Sequence, residues 1–163
     1  MMKTKFITFL LALICSLPMM AKVYIVTSPN KSLVVNISVD KTLKWEIKSG
    51  KTIVLLPSEI ALQTDKQCLG KNMKVKKSSI CNNKVGNRKY QQLTLGTGDY
   101  DIQFRVFDDA VAYRFISKKV INKVINETSE FIFADDYPTF VPYVNDNRGG
   151  QSQIGRASCR EGV

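Results

Sequence analysis

Carboxylates are the side chains of this chain whose type could support catalysis, and four of them stand as two adjacent pairs. Asp108 and Asp109 separate two apolar segments, and Asp135 and Asp136 precede an aromatic one. Hydrolysis by paired carboxyl groups needs both to face the scissile bond, about 5 to 9.5 Å apart. Adjacent turn residues point in different directions, and turns favour aspartate because its side chain bonds to the backbone. We therefore interpret both pairs as turn residues and predict no catalytic residue in this chain.

Metal and thiol chemistry are limited by the absence of histidine from the chain. A Cys/His zinc site is excluded, and a catalytic cysteine would lack its base. Asp135, Asp136 and Asp146 are only a loose cluster, whereas calcium needs several convergent oxygen ligands, so we predict no metal site. Cys68 and Cys81 are the candidates for a disulfide in an oxidising compartment, worth about 3 kcal/mol in the chain-entropy account. Two free buried thiols are the alternative.

Positive charge is concentrated in one segment. The chain has 24 Lys plus Arg and 14 Asp plus Glu, a net charge of +10. Residues 66–89 contain eight of the basic residues and no acidic one. A nucleic-acid site would be expected to interleave such charges with aromatic residues, and this segment has none before Tyr90. We interpret it as a solvated, lysine-rich loop without a nucleic-acid partner, and binding of anionic polymers is the alternative.

The N-terminal residues have the pattern of a signal peptide over residues 1–21. Two lysines in residues 1–5 precede an apolar run over residues 6–17, which has the length of a signal-peptide hydrophobic region. The run is too short for a membrane span, which needs about 20 apolar residues. The small Ala21 suggests cleavage before Lys22. We therefore expect a periplasmic or otherwise exported protein with no membrane span after cleavage.

The C-terminal residues 154–163 are similar to one reading frame of a common sequencing-adapter oligonucleotide. We expect this segment to be a non-native tail, and an ordinary polar tail is the alternative. The native domain would then consist of residues 22–153, which is long enough for one modest hydrophobic core.

Alternation of apolar and polar residues predicts the elements that must position any site. Residues 104–115 form two alternating runs that meet at Asp108 and Asp109, which is the pattern of a β-hairpin. Its apolar faces are Ile102, Phe104 and Val106 on the first strand and Val111, Tyr113 and Phe115 on the second. The hairpin is therefore expected to present one apolar face to a core.

Several further strands are predicted by the same pattern, and no segment has helical periodicity. We predict strands over residues 22–27, 33–39, 43–47, 52–56, 59–63, 90–95, 120–125 and 127–133, with a weak one over 73–75. Pro57 is expected to interrupt the fourth. Trp45 shares a face with Leu43 and Ile47, so we expect it in the core rather than on a sugar-binding surface. Short strands separated by hairpin turns indicate an all-β sandwich.

The order of these motifs resembles the N-terminal domain of glycoside hydrolase family 97. The motifs are the turn over residues 28–32, the strand over 44–47, the hairpin over 104–115 and the segment over 127–137. The resemblance covers nearly all of residues 23–143. The family comprises periplasmic α-glucosidases and α-galactosidases of gut-type Bacteroidota.

The resemblance implies a β-supersandwich similar to galactose-mutarotase folds, here incomplete, packed against a (β/α)₈ catalytic barrel that this chain lacks. The parent protein would bind calcium, with its catalytic carboxylates and calcium ligands outside this chain, so we predict no cofactor in the fragment itself. The family usually has glycine after the aspartate pair, where this chain has Ala110. Alanine would cost about 1 kcal/mol there if the position needs a positive φ.

The predicted function is that of a non-catalytic, carbohydrate-binding-like or structural domain of an exported glycoside hydrolase. The parent would act on carbohydrate substrates of the α-glucoside or α-galactoside type, and the missing barrel of the same chain would be the domain's partner. Tyr137, Phe140 and Tyr143 are candidate carbohydrate-binding residues, because exposed aromatic rings stack on pyranose rings. The alternative is a stand-alone exported β-sandwich that binds a glycan or a partner protein.

Overall fold

The computed structural model describes residues 21–136, 138–144 and 152–157. Every regular element among these residues is a strand. The strands are β1 (Lys22–Thr27), β2 (Leu33–Val39), β3 (Leu43–Ser49), β4 (Thr52–Thr64), β5 (Cys68–Leu69), β6 (Lys77–Val85), β7 (Arg88–Gly96), β8 (Tyr100–Val106), β9 (Val111–Ser117), β10 (Val124–Ser129), β11 (Thr139–Val144) and β12 (Ser152–Ala157). In the part of the chain that the structure describes, no helix is long and apolar enough to cross a membrane.

Two antiparallel sheets form a sandwich. The first has the order β1-β2-β3-β4-β10, with the short β5 also paired to β4, and the second has the order β6-β7-β8-β9. Strands β11 and β12 pair with each other in a separate two-stranded sheet. Buried residues of both larger sheets belong to a single hydrophobic cluster, so the core lies between them. The predicted all-β sandwich is confirmed.

The predicted hairpin over residues 104–115 is formed by β8 and β9, which pair over seven positions from Tyr100↔Ser117 to Val106↔Val111. Side chains of Ile102, Phe104 and Val106 are fully buried, whereas those of β9 on the same face are only half-buried. Alternating strand geometry places these residues on one face because successive side chains point to opposite sides of a sheet. The predicted apolar face is therefore confirmed, with a difference in burial between its two strands.

Trp45 joins the two sheets. Its side chain is 4% exposed, with its ring centroid 6.4 Å from that of Phe104 and 5.4 Å from that of Tyr113. The contact with Tyr113 has the edge-to-face arrangement that aromatic pairs favour. The prediction that Trp45 is a core residue is confirmed.

The interruption predicted at Pro57 is wrong, since β4 is one continuous strand. Trp45 of β3 lies opposite Ser58, but Ile47 lies opposite Leu55, so β4 has an extra residue between these two pairs. This register shift is a β-bulge, and Pro57 lies within it. Proline is tolerated there because a bulged residue has no ladder hydrogen bond to lose.

The loop predicted over residues 66–89 is also wrong in large part. Strand β6 occupies Lys77–Val85 and pairs with β7 through nine positions, and β5 forms a second short strand. The strand predicted over residues 73–75 is absent. Every residue of β6 is exposed, so the segment is solvated as expected, yet it is an edge strand and not a loop. Its pairing is made by backbone groups, which side-chain alternation does not reveal.

Two strands predicted over residues 120–125 and 127–133 are replaced by the single strand β10. Beyond it, Phe133 forms one isolated bridge with Leu55 of β4. Apolar residues of this segment stand in adjacent groups and not in alternation, so the pattern gave no clear boundaries.

The predicted disulfide between Cys68 and Cys81 is not formed in this structure. Both are free thiols: Cys68 is half-buried in β5 of the first sheet, and Cys81 is exposed in β6 of the second. Nearness in sequence suggested the pair, but β5 and β6 belong to different sheets. The alternative of two buried thiols is not met either, because Cys81 is exposed.

The turn between β8 and β9 accommodates Ala110 without strain. Phe107 N donates a hydrogen bond to Ala110 O at 2.8 Å, which closes the loop. Positive φ among the described non-glycine residues occurs at Lys31 and Asn72, not at Ala110. The turn is therefore of a type that tolerates alanine.

Gly70 fixes the junction between the two sheets near β5. Its φ is +89°, and a Cβ at this position would lie 2.6 Å from Ile60 O, so only glycine fits. Gly70 N donates a hydrogen bond to Tyr100 Oη at 3.1 Å, which ties β5 to β8 of the opposite sheet. Burial raises the pKa of the Tyr100 phenol, and the hydrogen bond from Gly70 opposes this rise.

Replacing Ala110 by glycine tests whether the hairpin turn is unstrained. At a negative φ, glycine only adds freedom to the unfolded chain, so Ala110→Gly is expected to lower the free energy of unfolding by about 0.4 to 1 kcal/mol. Urea denaturation measures it. The matched change Asn72→Gly, at φ +47°, is expected to be neutral or stabilising. Stabilisation by Ala110→Gly would contradict the turn geometry.

Alkaline pH is expected to weaken the fold. Burial raises the pKa values of Tyr100 and Tyr113 above the ordinary 10.0. The two phenols therefore contribute fully to the free energy of unfolding below pH 10, where they are protonated in both the folded and the unfolded protein. This contribution is lost as the pH rises through the raised pKa values. Urea midpoints measured from pH 8 upward should fall above pH 10. The double variant Tyr100→Phe with Tyr113→Phe should fall less steeply, and an equal slope would contradict this assignment.

Candidate functional site

The predicted turn aspartates form contacts that support loops. Asp108 Oδ1 accepts a hydrogen bond from Asn30 N at 2.9 Å, which joins the β8–β9 turn to the β1–β2 turn. Asp109 forms an ion pair with Arg88, which lies next to the turn of the β6–β7 hairpin. Both carboxylates are thus held by structural partners at the surface.

The second aspartate pair also lies at the surface. Asp135 Oδ1 accepts a hydrogen bond from Asp136 N at 2.8 Å, and both residues are exposed. Asp146 lies outside the described residues. Within those residues, no three acidic, histidine or cysteine side chains are close enough to hold a metal ion.

The candidate sugar-binding aromatics fall at the limit of the described structure. Tyr137 lies outside the described residues. The backbones of Phe140 and Tyr143 lie in β11, paired with Arg156 and Gln153 of β12, and their side chains lie outside the described part. Carbohydrate binding by these three residues stays a prediction.

One side of the sandwich exposes its core, and we call it the open side. It consists of the edge strands β9 and β10 together with residues 130–133. Phe131 is 53% exposed although its ring lies edge-on to Trp45, 5.7 Å between centroids, and Phe133 is 39% exposed. Tyr113 bridges the two edges through its hydroxyl, 2.8 Å from Ser129 Oγ.

Further apolar side chains extend this exposed surface along the same segment. They are Val120, Val124, Ile125 and Ile132. Contiguous exposed apolar surface on a soluble domain usually marks a place where another part of a protein packs. The open side is thus a candidate interface for another part of a protein.

A second surface lies at the opposite edges of both sheets, and we call it the basic cleft. It is an open cleft of about 670 Å³ between the β1–β2 turn and the β6–β7 hairpin, and its lining residues include Lys31, Asn82, Asn83, Lys84, Lys89 and Gln91. Sequence reasoning missed it, because residue 31 and residues 82–91 meet only when β1 packs beside β7. In the sequence, the one signal for the β6–β7 hairpin was the turn at Gly86 and Asn87, which separates two lysine-bearing segments.

The floor of the basic cleft is fixed by hydrogen bonds. Gln91 Oε1 accepts from Thr27 N at 3.1 Å, and Gln91 Nε2 donates to Asn82 Oδ1 at 3.2 Å. One amide side chain thus connects the first sheet to the second at this edge. The cleft is therefore preorganised and not a gap between independent loops.

Comparison with known proteins identifies the family. A family model described as glycosyl-hydrolase 97 N-terminal matches residues 26–160. The chain belongs to this family. The predicted resemblance is thereby confirmed. A retaining alpha-galactosidase of Bacteroides thetaiotaomicron is 29% identical over 163 aligned residues, which cover 90% of this chain and 24% of that protein.

Solved structures agree on the fold of this glycosyl-hydrolase 97 N-terminal domain. A family 97 enzyme from Pseudoalteromonas sp. strain K8, in complex with panose, is 19% identical with a TM-score of 0.56 and covers 74% of this chain and 22% of its own. A beta-arabinopyranosidase is 21% identical with a TM-score of 0.63, covering 76% and 23%. The chain therefore spans about a quarter of the length of the proteins it matches.

Proposed function

We propose that this chain is a non-catalytic sandwich domain at the N-terminus of an exported glycoside hydrolase whose catalytic barrel lies outside this chain. The observation that carries the proposal is the open side, taken together with the 24% of the curated relative that the chain spans. The domain supplies a rigid support, and the chemistry belongs to the rest of the protein.

The difference in burial between β8 and β9 supports a missing partner. Phe104 of β8 is fully buried, whereas Tyr113, directly opposite it on β9, is only half-buried. Strand β9 is an edge of the second sheet and β10 an edge of the first, so both sheets end on the same side. Unpaired edges of this kind attract further strands. We assign the open side to the following segment of the same polypeptide.

The relatives support a proposal for the substrate class. The parent enzyme is proposed to act on α-galactosides, because the curated relative is a retaining alpha-galactosidase. α-Glucosides are the second candidate, because a solved relative holds panose, a trisaccharide of glucose. In this proposal Tyr137, Phe140 and Tyr143 lie beside the barrel and contact either it or the sugar.

Calcium is proposed for the parent enzyme only. The described residues do not fit a calcium site, since no three suitable side chains among them converge. We propose that the calcium ligands lie outside the described residues, and no step is attributed to the ion here.

Export is proposed from the pattern of residues 1–21. A short apolar run with preceding lysines and a small residue before Lys22 is typical of a cleaved signal peptide. N-terminal sequencing of the protein from the periplasmic fraction is expected to begin at Lys22. A protein that keeps Met1 would contradict export by this route.

Hydrolysis assays test whether the catalytic activity belongs to the parent enzyme and not to this chain. The purified chain and the full-length parent are each given p-nitrophenyl α-galactoside and α-glucoside with added calcium. The parent is expected to turn over one of them, and the chain alone neither. Turnover by the chain alone would contradict the non-catalytic role.

A pair of substitutions in the full-length parent tests the open side. Phe131 and Ile80 are equally exposed in this chain, at 53% and 52%, but Ile80 lies on β6, at the other edge. Phe131→Ser is expected to lower the unfolding free energy by about 2 kcal/mol more than Ile80→Ser, because only Phe131 becomes buried when the open side is covered. An equal decrease in unfolding free energy for the two variants would contradict the proposal that the open side is an interface.

A further inference from the structure

We propose that the basic cleft binds an anionic carbohydrate, whose carboxylate or sulfate group contacts the lysines while a hydroxyl group contacts the Asn82 amide. The choice of a carbohydrate rests on the proposed function. The requirement for negative charge rests on the cleft itself, which is lined by three lysines and no acidic residue.

The three lysines of the cleft take part in none of the ion pairs formed by the described residues. Asp108 and Asp109 line a neighbouring surface together with Lys89. Ammonium groups that share one cleft repel one another, and an anion bound there relieves the repulsion. The charge pattern thus favours an anionic ligand.

Two of these lysines lie directly opposite each other on the ladder. In the β6–β7 hairpin, Lys84 pairs in register with Lys89, one position from the turn-closing pair Val85↔Arg88. Like charges at directly opposed positions destabilise a pair of strands. An exposed hairpin gains nothing from this pairing by itself, and a bound anion would turn it into a favourable contact.

The third lysine is in a strained conformation. Lys31 has a φ of +63°, in the left-handed region that glycine adopts freely and lysine does not. The turn that holds it is closed by Lys31 N donating to Ser28 O at 2.9 Å. Strain of this kind persists where the surrounding structure imposes it, and it is concentrated at ligand sites.

One asparagine amide of the cleft is free to meet a hydroxyl group. Asn82 uses its Oδ1 on Gln91, and its amide nitrogen donates no hydrogen bond to the described residues. Asn83 donates its amide nitrogen to Cys81 Sγ at 3.2 Å, which leaves its carbonyl oxygen as an acceptor. Asn82 and Asn83 are successive residues of β6, so their side chains point to opposite faces of the sheet. Asn82, on the same face as Lys84, is therefore the amide that can donate to a sugar hydroxyl.

The position of the cleft keeps it apart from the open side. The cleft lies at β1 and at the β6–β7 hairpin, whereas the open side lies at β9 and β10, the other ends of the two sheet orders. A partner that covers the open side leaves the cleft accessible. Its volume of about 670 Å³ lies within the range of about 300 to 1,000 Å³ that is usual for ligand sites.

Titration calorimetry on the purified chain tests the site with four probes: oligogalacturonate, a sulfated galacto-oligosaccharide, a neutral galacto-oligosaccharide and sodium sulfate. At least one of the two anionic sugars is expected to bind, and its affinity should fall as sodium chloride is added. Binding of oligogalacturonate would indicate a site for carboxylate groups, and binding of the sulfated sugar a site for sulfate groups. Equal affinity for the neutral sugar, binding of sodium sulfate alone, or no binding would each overturn the proposal.

Two substitutions separate binding from folding. Lys31→Gly and Lys84→Gln are each expected to weaken anionic-sugar binding about tenfold, the effect of losing one charged contact. Neither should lower the melting temperature, because one removes backbone strain and the other a like-charge pair. Asn72→Gly, the other non-glycine residue with positive φ, lies outside the cleft lining and is the control that keeps affinity. Unchanged affinity in both lysine variants would refute the site.

This test and that of the proposed function fail separately. If the parent hydrolyses α-galactosides but the chain does not bind anionic sugars, only the proposal for the basic cleft is refuted. A chain that binds anionic sugars through Lys31 and Lys84, within a parent that hydrolyses neither chromogenic substrate, refutes only the proposed function.

Discussion

The contact of Trp45 with Phe104 and Tyr113 is the interaction on which the rest of the structure depends. Trp45 belongs to β3 of one sheet, and the other two rings belong to β8 and β9 of the second. Aromatic side chains bury large areas with a preferred geometry, so this contact sets both the spacing and the alignment of the sheets. Once the alignment is set, the edges of the two sheets coincide in pairs, and each pair of edges forms a surface.

The two surfaces have opposite chemistry because different residues reach the two sides. At β9 and β10 the core reaches the surface at Phe131, which is 53% exposed although its ring packs edge-on against Trp45. At β1 and β6 the lining residues are mainly lysines and amides, and Tyr90 is buried beside them against Phe107 and Arg105. The first surface suits the continuation of a larger enzyme, whereas the second suits a polar ligand from solvent.

Strain in this domain lies away from the place where the family comparison suggested it. Ala110 replaces an expected glycine, yet its turn has a negative φ and needs no glycine. The costly positions are Lys31, with its left-handed backbone, and the directly opposed Lys84 and Lys89. All three line the same cleft, whereas Asn72, the other described non-glycine residue with a positive φ, lies outside it.

The sequence by itself determined the regular strands and the hairpin, because the buried and exposed faces of a half-buried strand produce alternating apolar and polar residues in the chain. Strand β6 was missed because it is exposed on both faces, and the continuity of β4 was missed because a bulge absorbs Pro57. Only the tertiary structure decided that Cys68 and Cys81 lie in different sheets, and that Lys31 meets the β6–β7 hairpin. These outcomes depend on how one sheet is placed on the other, and that placement follows from packing between distant residues, which leaves no local pattern in the chain.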